Sequence, residues 1–186
     1  DINVNSNYGI ETGDNGVGIY TNRSITSNKT FNFKYSGSTS GTGIGILFAG
    51  VNPTNNLKIN LNNSTNTTKG MVGIFANGNG TLTNSGDITG KSKEAEFAIV
   101  ANNTNVVNSG NISLGNANDL TKGNVGIYVK TRNKITNTGD IIVGNNSIAL
   151  YGYGISHTIG NLKVGDNGIA LYSQGGNISL TSGSIQ

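Results

Sequence analysis

The chain has 186 residues, a formal net charge of +3 and no cysteine. Charged residues make up 11% and aromatics 6%, while asparagine and 29 glycines dominate, which excludes long helices, disulfide stapling and thiolate metal centres. Its few, dispersed cations are not the dense basic footprint of a nucleic-acid binder, and no apolar run approaches the ~18–20 residues that cross a bilayer as a helix.

Taken in chain order, the sequence opens on a strand-like alternation, "DINVNSNYGIETG", and then writes a phrase it goes on to repeat. The phrase is aliphatic, Gly or Ala, aliphatic, then usually aromatic. It reads Val17-Gly18-Ile19-Tyr20, Ile44-Gly45-Ile46-Leu47, Val72-Gly73-Ile74-Phe75, Phe97-Ala98-Ile99-Val100, Val125-Gly126-Ile127-Tyr128, Ile148-Ala149-Leu150-Tyr151 and Ile169-Ala170-Leu171-Tyr172. Its third positions recur at intervals of 21–28 residues, a solenoid period.

A second phrase follows the first inside each unit. It is Asn84-Ser85-Gly86-Asp87-Ile88, Asn108-Ser109-Gly110-Asn111-Ile112 and Asn137-Thr138-Gly139-Asp140-Ile141, with a shortened echo in Gly160-Asn161-Leu162. Each unit therefore holds at least two short strands between Asn/Gly/Ser turns, and no segment carries a helical apolar period. A sandwich or barrel does not require one phrase at one place in every unit, whereas a parallel β-helix does, because matching strands stack in register ~4.8 Å apart. The sequence thus predicts an all-β parallel β-helix of about seven coils, roughly 34 Å long at that spacing. The whole of 1–186 is expected to be one β-helix segment cut from a longer domain, since strand patterns run to both ends.

Alternation along a strand places the two aliphatic residues of the phrase inward, and Gly/Ala and the aromatic outward. The glycines of the second phrase are expected at sharp bends with positive φ, and stacked asparagines are expected to bond along the axis. Pro53, the charged stretch 91–97 ("KSKEAEF") and the long intervals 22–41 and 51–70 are expected in loops, the two intervals as adaptable exposed ones.

Chemistry-bearing residues are few. His157 is the single histidine, has no carboxylate near it in sequence, and is read as a surface turn residue. Without cysteine or a "GxSxG" elbow, hydrolytic triads fall away. Asp87 and Asp140 occupy equivalent sites two coils (~9.6 Å) apart, at the edge of the spacing of an inverting glycosidase pair. Their column also holds Asn111 and Asn161, so turn chemistry rather than catalysis is expected and no enzymatic activity is assigned. The "GDNG" turns at Asp14-Asn15 and Asp166-Asn167 carry too few carboxylates for a calcium shell, and neither metal nor cofactor is expected. Triplets of the form "NxS" and "NxT", such as those at Asn111 and Asn177, follow from composition.

Two features point to binding. The outward aromatic column comprises Tyr20, Phe75, Tyr128, Tyr151 and Tyr172, with Tyr153 nearby, and such rings stack on sugar faces or anchor protein interfaces. Rings in register also cover one another, and that structural role is expected to lead. Lys130, Arg132 and Lys134 share one face beside Tyr128 as a basic ridge suited to sialylated or sulfated glycans, a solvated face being the plainer reading.

Coils that pair "GIY" or "GIF" strands with "NSGDI" or "NTGDI" turns resemble the passenger domains of bacterial type Va autotransporters, most closely the large Asn/Gly-rich adhesins of fusobacteria; two-partner-secreted haemagglutinins look similar at this level. The likeness runs from about residue 13 to 180. It implies a right-handed parallel β-helix displayed on the bacterial cell surface and joined to a C-terminal outer-membrane barrel that this sequence does not contain. The function it implies is that of a rigid adhesin stalk with a host or bacterial surface protein or glycan as partner. The alternatives are a β-helical polysaccharide lyase or hydrolase, and a spacer with no ligand.

Overall fold

A computed structural model describes residues 1–38, 41–61, 70–91 and 93–186. Every strand pairing among them is parallel, and each strand pairs with its counterpart one coil away. The chain is a parallel β-solenoid of about seven coils, as the repeat predicts.

Each coil has three facets. The first carries the recurring phrase, in strands Val17–Thr21, Gly43–Phe48, the leading halves of Met71–Asn84 and Glu96–Asn108, then Val125–Val129, Ile148–Gly152 and Ile169–Ser173. The second ends on the asparagine of the second phrase, as in Lys134–Asn137, or on His157 in its place, as in Gly154–His157, and in the third and fourth coils the chain runs straight through the corner from the first facet. These two facets make one sheet of 13 strands, and the third facet, with Ile88–Thr89, Ile112–Leu114 and Ile141–Val143 among its members, makes a separate sheet of 8.

The sidedness of the phrase differs from simple alternation. Ala98 and Ala149 are fully buried in the core, and a Cβ on Gly45 would point at the rings of Phe31 and Phe33. The Gly/Ala position therefore faces inward, directly followed by a second inward residue, Ile46, Ile74, Ile99, Ile127 or Leu150. The inter-coil ladder skips this position at every interface: Ile44 pairs with Val72 and Ile46 with Ile74, leaving Gly45 and Gly73 out. The strand kinks there, so two consecutive side chains enter the core and the first aliphatic of the phrase is turned to the outer side. Phe97 shows this, its ring lying 6.3 Å from that of outward Tyr128.

Small residues on the first facet face large ones on the third. In the first coils Gly18, Gly43 and Gly45 meet Phe31, Phe33 and Tyr35, all fully buried. From the third coil onward Gly73 and Gly126 meet Ile88 and Ile141. This pairing keeps the core's width constant while its side chains change, as close packing demands.

It also corrects the expectation of loops in the long intervals. Thr30–Tyr35, inside 22–41, is a core strand, and Thr54–Asn55 and Lys58–Asn60, inside 51–70, are strands with Leu57, Ile59 and Leu61 buried around them. Pro53 is buried in the bend before Thr54. Residues 39–40, 62–69 and 92 of those stretches and of the charged one lie outside the described residues. Glu96, within 91–97, opens a strand and is fully buried.

The glycine column of the second phrase also has a different cause from the one expected. Gly86, Gly110, Gly139 and Gly160 have no positive φ. A Cβ on any of them would instead collide with a backbone carbonyl of the preceding coil, at Leu57, Gly86, Gly110 and Gly139 respectively. Positive φ falls on asparagine, at Asn15, Asn146 and Asn167 in the "GDN" and "GNN" turns, where the short amide side chain tolerates it.

Asparagine is abundant because coil corners leave backbone N–H groups pointing along the axis. Asp87 Oδ1 accepts from Asn111 N at 3.0 Å, Asn111 Oδ1 from Asp140 N at 3.1 Å, and Asp140 Oδ1 from Asn161 N at 2.7 Å. A parallel column runs from Asn116 through Asn145 to Asp166. Side-chain oxygens here continue the ladder where strands stop.

Candidate functional site

The outer columns decide what the surface can do. By register, Tyr20 stacks on Leu47, Leu47 on Phe75, Phe75 on Val100, and Val100 on Tyr128, so the aromatic column is interrupted twice. Tyr20 is 70% exposed and stands alone, and Phe75 is half-buried between aliphatics. Only Tyr128, Tyr151 and Tyr172 touch in sequence, with ring centroids 4.8 and 4.7 Å apart. Burial, and then the neighbouring Tyr151 hydroxyl, raise the pKa of Tyr128 above the ordinary phenolic value. The Gly/Ala beside each ring faces the core, so it leaves no slot for a flat partner, contrary to what alternation suggests.

The basic ridge lies at the corner after this triad. Lys130, Arg132 and Lys134 are exposed, as expected, but residues 130–133 form a turn rather than a strand. The turn is held from the coil before it. Asn103 N donates to Thr131 Oγ1 at 3.1 Å, Thr131 Oγ1 donates to Asn133 Oδ1 at 2.6 Å, and Asn105 Oδ1 accepts from Lys134 N at 2.8 Å. The Arg132 guanidinium carbon sits 5.9 Å from the ring centre of Tyr153, within cation–π reach.

Gln174 joins the two features: its Nε2 donates to the Tyr151 hydroxyl at 2.9 Å, and it lines the same cleft as Lys130, Arg132 and Tyr153. Among the described residues the ion pairs are Lys34–Glu11, Lys58–Asp87 and Lys122–Glu94, and none involves the three cations of the ridge. The structure thus brings together Tyr128, Tyr151, Tyr172, Lys130, Arg132 and Lys134, and leaves Tyr20 and Phe75 apart. Sequence reasoning missed Gln174 and Asn103. The interval from Leu150 to Leu171, the shortest of all, is the signal that marks an unusual corner here.

The other chemical residues take structural places. His157 is buried, not a surface turn residue. It ends a buried column in which Asn55 Nδ2 donates to Asn84 Oδ1 (2.8 Å), Asn84 to Asn108 (2.7 Å) and Asn108 to Asn137 (2.7 Å), with Asn137 Nδ2 3.0 Å from His157 Nδ1. His157 Nε2 lies 2.8 Å from Gly160 O, a bond that only an N–H on Nε2 satisfies, which leaves Nδ1 to accept from Asn137. Asp87 and Asp140 spend a carboxylate oxygen each on the next coil's N–H, and Asp14 accepts from the Tyr35 hydroxyl at 2.6 Å. No three or more His, Cys, Asp or Glu side chains gather into a metal-binding group among the described residues.

Fold and site together define a class, a parallel β-solenoid that presents an aromatic triad beside an unpaired basic corner. Compared with protein-family models, curated proteins and solved structures, the chain finds no match in any of the three.

Proposed function

We propose that this chain is an adhesive rod, a β-helical segment displayed on a bacterial cell surface that holds a contact face away from the cell and performs no chemistry itself. The observation that carries the reading is the contiguous Tyr128–Tyr151–Tyr172 stack, bonded through Tyr151 to Gln174, which lines one cleft with Lys130 and Arg132; among the described residues neither these two cations nor neighbouring Lys134 is in an ion pair. Backbone hydrogen bonds along the axis make the rod stiff, and unpaired cations beside rings suit an anionic or sugar-bearing partner on another cell. The resemblance to autotransporter passengers supports surface display and an outer-membrane anchor outside this chain.

Beads coated with the chain test this on host epithelial cells and on bacteria. Adhesion above that of uncoated beads is expected, with most of it lost when Lys130, Arg132 and Lys134 are all changed to alanine. Adhesion no better than that of bare beads overturns the reading in favour of a passive spacer.

A further inference from the structure

The corner between the first and second facets changes length from coil to coil. Between residues in register, four, 130–133, separate Val129 from Lys134; one, Tyr153, separates Gly152 from Gly154; three, 174–176, separate Ser173 from Asn177. A one-residue corner between a four-residue and a three-residue corner leaves a notch, floored by Tyr153 and flanked by coils about 9.6 Å apart centre to centre. Clefts open on both sides of Tyr153, one of about 630 Å³ with Lys130, Arg132, Asn133 and Gln174, the other of about 450 Å³ with Lys134.

We infer that this notch is a subsite for an acidic sugar unit, carboxylated or sulfated, of an extended polysaccharide that crosses Tyr153. The inference deepens the reading of this face as a contact surface and rests on it. The Arg132 guanidinium lies over Tyr153, 5.9 Å from the ring centre, and is in none of the ion pairs among the described residues, and its planar fork of N–H donors matches a carboxylate or sulfate. Cations border both clefts, so a chain crossing the notch meets positive charge on either side of the ring. Asn103, Asn133 and Gln174 supply the mixed donors and acceptors that sugar hydroxyls need, and Gln174 is already oriented by Tyr151. The flank beyond Tyr153 is fixed by glycine: Gly175 has φ +147° and a Cβ there would come 3.3 Å from the Tyr153 ring, while Gly176 N donates to Tyr153 O at 2.7 Å. Ile135 and Ile155, the large aliphatic residues in the clefts, are buried. No open apolar socket therefore waits for a peptide anchor, and the chemistry favours a glycan over an acidic peptide.

Calorimetric titration of the whole chain at physiological salt tests this with four probes: an oligogalacturonate hexamer, a heparin hexasaccharide, cellohexaose and hexaglutamate. Binding of one or both acidic oligosaccharides is expected, the arm that binds naming carboxylate or sulfate, with cellohexaose and hexaglutamate much weaker. Arg132→Ala should weaken binding roughly ten- to a hundredfold, as loss of a charged hydrogen-bonding partner does. Arg132→Lys should recover only part of it, and Arg23→Ala, at the same corner of the first coil, should bind like the parent. Hexaglutamate binding as tightly as the oligosaccharides overturns the inference, as does parental affinity in Arg132→Ala or an equal loss in Arg23→Ala. Coated beads that adhere while no acidic oligosaccharide binds sink the notch alone, and oligosaccharide binding without bead adhesion sinks the adhesive rod alone.

Discussion

Asn108 is the side chain on which most of the buried polar order turns. Its Nδ2 donates both to Asn137 Oδ1 at 2.7 Å and to Gly110 O at 2.8 Å, and its Oδ1 accepts from Asn84. The bond to the carbonyl two residues on recurs at Asn55, Asn84 and Asn137, and it fixes each amide's orientation, since a flipped amide would set oxygen against oxygen. The column therefore has a direction, with an unpaired acceptor, Asn55 Oδ1, at its start and the imidazole of His157 at its end. Replacing Asn108 with leucine orphans Asn137 Oδ1 and Gly110 O together and should cost about 2–4 kcal/mol, lowering the thermal midpoint by roughly 5–10 °C. Asn55→Leu should cost less, because that residue already carries one buried unpaired oxygen; equal midpoints for the two variants would contradict a directional column. A second residue-scale expectation concerns alkali. Tyr35 is fully buried, and burial first, then its bond to Asp14, push its hydroxyl up to about 12. A folded-state pKa above the unfolded value near 10 gives a contribution complete below pH ~10 and lost as pH rises toward 12. Denaturant midpoints should hold steady up to pH ~10 and then fall, with a shallower fall in Tyr35→Phe.

At the scale of one coil, the kink at the Gly/Ala position controls how coils nest. A Cβ on Gly73 would lie 2.7 Å from Ala98 O, and one on Gly126 only 2.5 Å from Ala149 O and 3.0 Å from the Ile141 side chain. Gly126→Ala should therefore destabilise by about 1–3 kcal/mol through overpacking, despite alanine's better backbone entropy. Gly13→Ala, whose Cβ would meet nothing within 4 Å, should be neutral or slightly stabilising, and a chemical denaturation series distinguishes the two. The same kink marks the limit of what periodicity reveals. Ile19, Ile46 and Ile127 recur at the solenoid period and face the core, so their positions revealed the solenoid and its coil count, while Val17, Ile44 and Val125 stand on the outer side of the kink. A break in the ladder leaves no mark on the sequence pattern, so strict parity assigned both the glycine and the first aliphatic to the wrong side. Phe31, Phe33 and Tyr35 were hidden for a related reason: a single strand, Thr30–Tyr35, fills the third facet with aromatics where the later coils bury aliphatics such as Ile59, Ile88, Ile112 and Ile141, and no repeat of the later phrase announces it. The triad and the basic corner were legible as residue types, but Gln174 and the notch arise from corner lengths that become visible only when the three facets are laid in register.

Over the whole molecule, the stack protects every edge except those of its terminal coils. Ile155 is 2% exposed beneath Ile178, yet Ile178 itself is 44% exposed and Leu180 51%, although both continue inward columns. The opposite end shows partly covered Ile2 at the start of the column that Leu180 ends, and partly covered Ile10 on the third facet. One end thus offers the apolar pattern that the other can accept, and head-to-tail contact of this kind does not close into a ring but adds units indefinitely. Sedimentation velocity should show species heavier than the single chain growing with concentration. Placing opposite charges on the final edge, as Ile178→Lys with Leu180→Glu, should suppress that growth, because an added strand would have to bury both ions against an apolar column. The coils within should be unaffected, since these side chains support nothing beyond them. Self-association that persists unchanged in the double variant would place the contact on the side of the rod, and the outward column of Tyr128, Tyr151 and Tyr172 would then have to be shared between copies of the chain rather than offered to another surface.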